Sequence, residues 1–317
     1  MLPLRRREML LILLSLFMFY SLLSEICTRN SRDSEDVSYA QKLCLGKTPS
    51  ACIPPLQTFP AAYKTANPYH LLACTIQKNF STMLTAIICY LYNETAFIEN
   101  GRIISQELYF ERFCKDSNEY WSLSAISQKL DTDLRIWTKL AVIRDPFERF
   151  VSGFADKCLK RREWEGFPLR CGGCTTNLTC FMEKLYYKMM QWRPDSDKRD
   201  FDANHFFPQS WRCEFNSHLS DYHILQYNTF NPSKLVRNLL AILKEQNVSD
   251  FSIDYIERSV FYARTNHSTM GTVEQEETRR SILSNSYLLD LLIKMFYYDF
   301  VLFGFPFPVA NQVSNYV

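Results

Sequence analysis

The sequence is poor in glycine and histidine, and it carries no surplus of charge. Only eight of 317 residues are glycine, and none lies between Gly46 and Gly101. This excludes a conventional Walker A loop, which needs G-x-x-x-x-G-K-[ST], from that stretch. The five histidines, His70, His205, His218, His223 and His267, include no His-x-x-x-His pair, so a helical metal site of that type is absent. A formal net charge of +2 excludes a polycation that coats nucleic acid, and any anion site must be built from local patches. With 47% hydrophobic and 22% charged residues the chain is neither disordered nor collagen-like nor a multi-span membrane protein.

Cysteine is the residue in excess. Eleven point to an oxidising compartment. The N-terminus agrees. Arg5, Arg6 and Arg7 precede an uncharged run from Met9 to Ser24, and no Ala-x-Ala-like site follows it. The run is short for a span, which suits the thin membranes of the early secretory pathway, and its basic flank should stay cytoplasmic. We expect a signal-anchor with a luminal body; a cleaved signal peptide is the alternative. Four sequons, at Asn93, Asn177, Asn247 and Asn266, fit that compartment. A fifth, at Asn79, falls at an expected helix start and should be inaccessible.

The expected organisation is a cytoplasmic tail and anchor over 1–26, a Pro-marked luminal stem over 27–67 and a globular luminal domain over 68–317. Within the stem Cys44 and Cys52 are candidates for a small closed loop. In the body, Leu71–Ile76 reads as a buried strand, Gln77–Thr82 as a polar loop and Met83–Tyr92 as a helix. A second such unit follows. Trp137–Ile143 reads as a strand, and Asp145-Pro146 as the N-cap and first position of a helix with Phe147, Phe150, Val151 and Phe154 on one face. Tyr222–Tyr227 is a third strand candidate. A helix should open at Asn231-Pro232, and one long helix should run from about Val273 to Phe296. Repeated strand–helix units predict an α/β fold, a parallel sheet flanked by helices.

A strand that runs into a helix N-terminus is a ready anion site, because free amides and the helix dipole favour phosphate. Lys78, Asn79, Ser81 and Thr82 lie at the first junction. Arg144 and Ser152 lie at the second, where an arginine fork and a hydroxyl suit another phosphate. Taken alone, Lys78 is equally a surface lysine and Glu148–Arg149 a solvated helix edge. Two junctions on one sheet suggest a nucleotide phosphorylated at two positions.

Lys78–Thr82 and Arg144–Phe154 resemble the two phosphate-binding motifs of membrane-anchored carbohydrate sulfotransferases, and in particular the chondroitin 4-O-sulfotransferase and HNK-1 sulfotransferase group. Asn204–Gln209 and Tyr298–Phe305 are similar to two further stretches of that group. The resemblance covers roughly residues 70–306 and implies a P-loop-like sulfotransferase fold. It implies 3′-phosphoadenosine 5′-phosphosulfate as co-substrate, with Lys78, Ser81 and Thr82 on the 5′-phosphosulfate and Arg144 and Ser152 on the 3′-phosphate. It further implies a glycan acceptor, a chondroitin-type glycosaminoglycan, and a Golgi location. Gln77 and Asn79-Phe80 depart from the usual loop, and Phe80 is expected to narrow it.

Sulfuryl transfer needs a cation at the leaving oxygen and a base for the attacking hydroxyl, and it needs no metal. Lys78 suits the first role. His205 is the candidate base, with an ordinary imidazole pKa; a structural histidine packed by Phe206, Phe207 and Trp211 is the alternative. Cys158, Cys171, Cys174, Cys180 and Cys213 read as disulfide partners rather than zinc ligands, and Cys74 and Cys89 as buried thiols. Eleven being odd, membrane-proximal Cys27 is a candidate for an intermolecular bond and hence a homodimer. Lys157, Lys160, Arg161, Arg162 and Arg170, with Arg193, Lys198 and Arg199, are candidates for an acceptor groove. Two other classes remain open: a Golgi glycosyltransferase, for which Asp131-Thr-Asp133 or Asp195-Ser-Asp197 would hold a metal, and a non-catalytic glycan-binding ectodomain.

Overall fold

The computed structural model describes residues 39–46, 51–194, 200–228, 231–261 and 271–310. The chain divides into a unit ending at Ala51 and a unit beginning at Cys52. In the first, residues 39–45 are helical (α1). The predicted anchor over 9–24 and Cys27 lie outside the described residues. Among the described residues no helix is long and apolar enough to cross a membrane.

The second unit starts with strands β1 (Tyr63–Ala66) and β2 (Leu71–Cys74), helices α2 (Ser81–Tyr92) and α3 (Glu94–Glu99), β3 (Glu119–Tyr120) and α4 (Leu123–Leu130). Strand β4 (Thr138–Arg144) leads into α5 (Pro146–Phe154), which continues as a π-helical turn, Ala155–Lys160. Then come α6 (Glu163–Gly166), α7 (Leu178–Met190), α8 (Phe201–Phe206), α9 (Phe215–His218), β5 (Tyr222–Tyr227) and α10 (Ser233–Glu245). The last helices are α11 (Asp250–Phe261), α12 (Val273–Leu283) and α13 (Ser286–Phe303).

The sheet order is β3-β1-β2-β4-β5. The expected parallel sheet is present only in part: β2, β4 and β5 run parallel, whereas β1 is antiparallel to both β2 and β3. The correction has a simple cause. Only three residues in a 3-10 turn plus His70, in a left-handed conformation (φ 45°), separate β1 from β2, and so tight a return forces antiparallel pairing. Strand β1 lies within the segment expected as stem, so Tyr63–Ala66 belong to the sheet.

Helices cover both faces of the central strands, which explains why β2 and β4 read as continuous apolar runs. Leu71, Ala73, Leu140 and Val142 face one cluster with α2 and α10. Leu72, Cys74, Ala141 and Ile143 alternate to a second cluster with Trp137, Phe215 and Phe303. The long C-terminal helix expected over 273–296 is two helices. Asn285 breaks it by accepting hydrogen bonds from the Tyr287 and Leu288 amides, which makes a new N-cap.

Four disulfides join Cys74 to Cys213, Cys89 to Cys114, Cys158 to Cys171 and Cys174 to Cys180. Cys44 and Cys52 are likewise oxidised. Cys74 and Cys89 are therefore not the free buried thiols expected from their places in a strand and a helix. Their partners lie on loops distant in sequence, which the local pattern does not reveal.

Candidate functional site

The parallel strands β2 and β4 are neighbours, so both predicted anion junctions leave the same end of the sheet. After β2 the chain turns without glycine. Lys78 and Phe80 adopt left-handed conformations, φ 70° and 61°. Such strain in non-glycine residues costs of order 1 kcal/mol each and persists where the surroundings enforce it. Here Asn79 enforces it. Its side-chain amide donates to the Val142 carbonyl at 3.0 Å and to Gln209 Oε1 at 2.5 Å. Asn79 is 1% exposed, which agrees with the expected inaccessibility of its sequon. The Phe80 ring packs against the α2–α10 cluster and lies 5.7 Å from the Tyr227 ring. As N-cap of α2, Phe80 has no side-chain acceptor, so the first-turn amides beside Ser81 and Thr82 have no side-chain cap.

The second junction forms as expected locally. Asp145 Oδ1 accepts from the Glu148 amide at 3.0 Å, and Pro146 opens α5. The Glu148–Arg149 edge, however, is buried and not solvated. Glu148 receives a two-point contact from Arg279 of α12 at 3.0 and 2.8 Å. Arg149 donates to the Gln77 carbonyl at 3.1 Å, the His205 carbonyl at 3.1 Å and the Phe207 carbonyl at 3.0 Å. One guanidinium thus ties the first loop to the His205 segment. Arg144 donates from Nη1 to the Lys78 carbonyl at 3.1 Å and lies 5.4 Å from the Tyr227 ring centroid. Its Nε is buried without a partner. A buried, unpaired guanidinium edge is costly unless an anion arrives. Ser152 is buried on the second turn of α5. The next residue, Gly153, is needed for close approach, since a Cβ there would stand 2.6 Å from the Phe206 ring.

Lys78 meets an unanticipated partner. Its Nζ lies 2.9 Å from Asp156 Oδ2, in the π-helical turn. Lys157 Nζ at 3.2 Å and Arg161 Nε at 3.1 Å share the same carboxylate. Burial pulls the Lys78 ammonium down to about 8, against the opposing pull of Asp156. The three cations hold the Asp156 carboxyl down at about 2 in spite of burial.

His205 sits at the end of α8. Its Nδ1 donates to the Phe201 carbonyl at 2.8 Å, since a carbonyl only accepts; Nε2 is then the basic nitrogen. Burial first, then Lys157 and Lys78, push its imidazole down to about 3. This corrects the expectation of an ordinary histidine. The ring is neutral across the whole physiological range.

Gln209 joins the two junctions. Its Oε1 accepts from Asn79 and, at 2.9 Å, from the Arg144 amide, while Nε2 donates to the Arg144 carbonyl at 2.7 Å. Asp299 of α13 in turn accepts from the Gln209 and Ser210 amides at 2.6 and 2.9 Å. Asp156, Arg149, Gln209 and Asp299 are absent from the residues that sequence alone selected. Gln209 and Asp299 carried a signal, because both fall in the stretches that bear the family resemblance. Asp156 carried only its spacing, one turn beyond Ser152.

Several other candidates have structural roles. Arg170 pairs with Glu163 at 2.5 Å and Arg162 with Glu165 at 3.0 Å, and Lys157 and Arg161 engage Asp156, so these members of the predicted acceptor patch are held in ion pairs within it. Lys198 and Arg199 lie outside the described residues. Asp131 is the left-handed cap of α4, and Asp133 engages Arg135 on the surface. Neither is placed as a metal ligand; Asp195 and Asp197 lie outside the described residues.

The chain matches the sulfotransferase family over residues 61–306, a span that contains both junctions, the Asp156 turn, Gln209 and Asp299. Carbohydrate sulfotransferase chst-1 of Caenorhabditis elegans is 31% identical over 298 residues, covering 93% of this chain and 88% of that protein. Putative sulfotransferase vep-2 of the same organism is 33% identical over 242 residues, covering 75% of this chain and 74% of that protein. No solved structure matches the chain. Two adjoining strand–helix junctions are locked together by Gln209 within a match of this extent, and the chain belongs to the sulfotransferase family.

Proposed function

We propose that the protein transfers a sulfuryl group from 3′-phosphoadenosine 5′-phosphosulfate to a hydroxyl of a glycan, a chondroitin-type glycosaminoglycan. We place it in the Golgi lumen, held by one N-terminal span. The observation that carries the donor assignment is the buried, unpartnered Nε of Arg144 beside an uncapped helix N-terminus on the adjacent strand. These residues fit a nucleotide with phosphates at two positions. Arg144 and Ser152 would hold the 3′-phosphate. Lys78, Ser81, Thr82 and the α2 amides would hold the 5′-phosphosulfate. Bound there, the donor supplies a sulfuryl group on a phosphate leaving group. Lys78 stabilises charge growing on the bridging oxygen, and the Nε2 lone pair of His205 accepts the acceptor's hydroxyl proton. An imidazole held near 3 is a weak base in the free protein. Anions that offset Lys78 and Lys157 remove part of the cause and strengthen it.

The luminal body should be stabilised by 3′-phosphoadenosine 5′-phosphate, by about 2.7 kcal/mol at a hundred times its Kd. Equal stabilisation by ATP, or by UDP with Mn²⁺, in a thermal-shift titration sinks the donor assignment. Transfer of labelled sulfate to a panel of glycosaminoglycans, with and without chelator, then decides the acceptor class.

His205→Ala should lower kcat about 10²-fold and leave nucleotide affinity intact. The acid side of the wild-type kcat/KM profile should show no limb near 6.5, because the free protein's imidazole is already neutral there. A limb at 6.5 that survives in His205→Ala assigns the base to another group.

A further inference from the structure

Asp156 stands at the junction of the site's parts. The π-helical turn that carries it follows α5 without a break, and such turns are frequent at functional sites. Its carboxylate is buried, 3% exposed, and binds cations from two segments: Lys78 from the first loop, and Lys157 and Arg161 from its own turn. Lys157 Nζ also lies 3.9 Å from Glu163 Oε1. Three cations thus converge on Asp156 beside the uncapped start of α2, a concentration of positive charge that suits a phosphosulfate, which carries two negative charges.

We propose that Asp156 is the positioning residue of this site: it gathers Lys78, Lys157 and Arg161 into one anion-binding cluster and fixes the Lys78 ammonium, protonated, at the mouth of the first loop. The identity of the anion rests on the sulfuryl-transfer function proposed above; the Asp156–Lys78 relation does not. Without Asp156 the three cations would repel one another. The ammonium would lose the one carboxylate that opposes its burial, while Lys157 and Arg144 continue to disfavour its charge. His205, neutral, completes the charged and titratable surroundings.

The test measures Lys78 directly and then measures turnover. Competitive acetylation across pH, read by mass spectrometry, should find Lys78 half-reactive near pH 8 in the wild type. In Asp156→Asn the midpoint should fall by about one pH unit or more, as loss of an adjacent opposite charge requires. The alkaline limb of kcat/KM should move the same way. At a pH about one unit below the variant's own measured Lys78 midpoint, where Lys78 holds its proton in both proteins, Asp156→Asn should bind 3′-phosphoadenosine 5′-phosphate as tightly as wild type or more so, because a negative charge has left an anion site. Its kcat should drop about 10²-fold, the scale of a misplaced catalytic group. A purely structural role would weaken affinity and kcat together.

An unchanged Lys78 midpoint in Asp156→Asn, or parallel loss of affinity and kcat, overturns the proposal. A wild type that transfers no sulfuryl group overturns the proposed function, while the acetylation midpoint still decides the role of Asp156. If Asp156→Asn does not fold, Asp156→Glu replaces it. That variant keeps the charge but shifts it by a methylene, so the midpoint should stay near 8 while kcat falls. Unchanged kcat in Asp156→Glu counts against positioning.

Discussion

Lys78→Ala is expected to lower kcat by about 10²–10³-fold, the range found when one preorganised donor to a developing anion is removed. Donor affinity should change much less. The α2 amides, Arg144, Lys157 and Arg161 all remain to hold anions in the ground state, whereas only Lys78 projects from the loop itself. The fold should survive, because Asp156 keeps Lys157 and Arg161 as partners. The pH dependence gives a second handle. An ammonium held down at about 8 is protonated below that pH and neutral above it, so wild-type kcat/KM should decline as pH rises through about 8. Lys78→Arg keeps its charge at every accessible pH and should abolish that limb, at reduced turnover because the planar guanidinium cannot reproduce a point charge. If Lys78→Ala raises only the donor KM and leaves kcat intact, the residue binds the donor but does not assist the leaving oxygen.

Arg149→Met is expected to be the most destabilising single change near the site. The guanidinium is buried and donates at 3.0–3.1 Å to three carbonyls, of Gln77, His205 and Phe207, with a longer contact to Phe206 at 3.5 Å. Methionine fills similar space but donates nothing. Breaking such a buried charged network typically costs about 3–5 kcal/mol, which for a domain of this size lowers Tm by roughly 10 °C or more. Arg149→Lys should rescue little, since one ammonium cannot span three carbonyls in fork geometry. Calorimetric melting checks this. A Tm within about 2 °C of wild type would mean that the three carbonyls find other partners and that Arg149 is not the tie between loop and His205 segment.

These residues mark how far the sequence reaches. By itself it determined the two strand–helix junctions. Continuous apolar runs require strands covered on both faces, Asp145-Pro146 starts a helix, and a polar loop with Lys78, Ser81 and Thr82 leads into an apolar helix whose first-turn amides have no side-chain cap. All of these depend on fewer than about fifteen consecutive residues, the range over which periodicity and capping act. What the tertiary structure decided are the partners across long separations. Glu148 and Arg149 look like a solvated helix edge until Arg279 and the carbonyls of the His205 segment arrive. Cys74 and Cys89 look like core thiols until Cys213 and Cys114 meet them. His205 has an ordinary imidazole until burial and two lysines surround it. Asp156 carries no signature beyond its spacing from Ser152, because its role is defined by a lysine 78 residues earlier in the chain. Charge, burial and pairing are properties of the packed neighbourhood, and packing joins segments whose local patterns carry no record of one another.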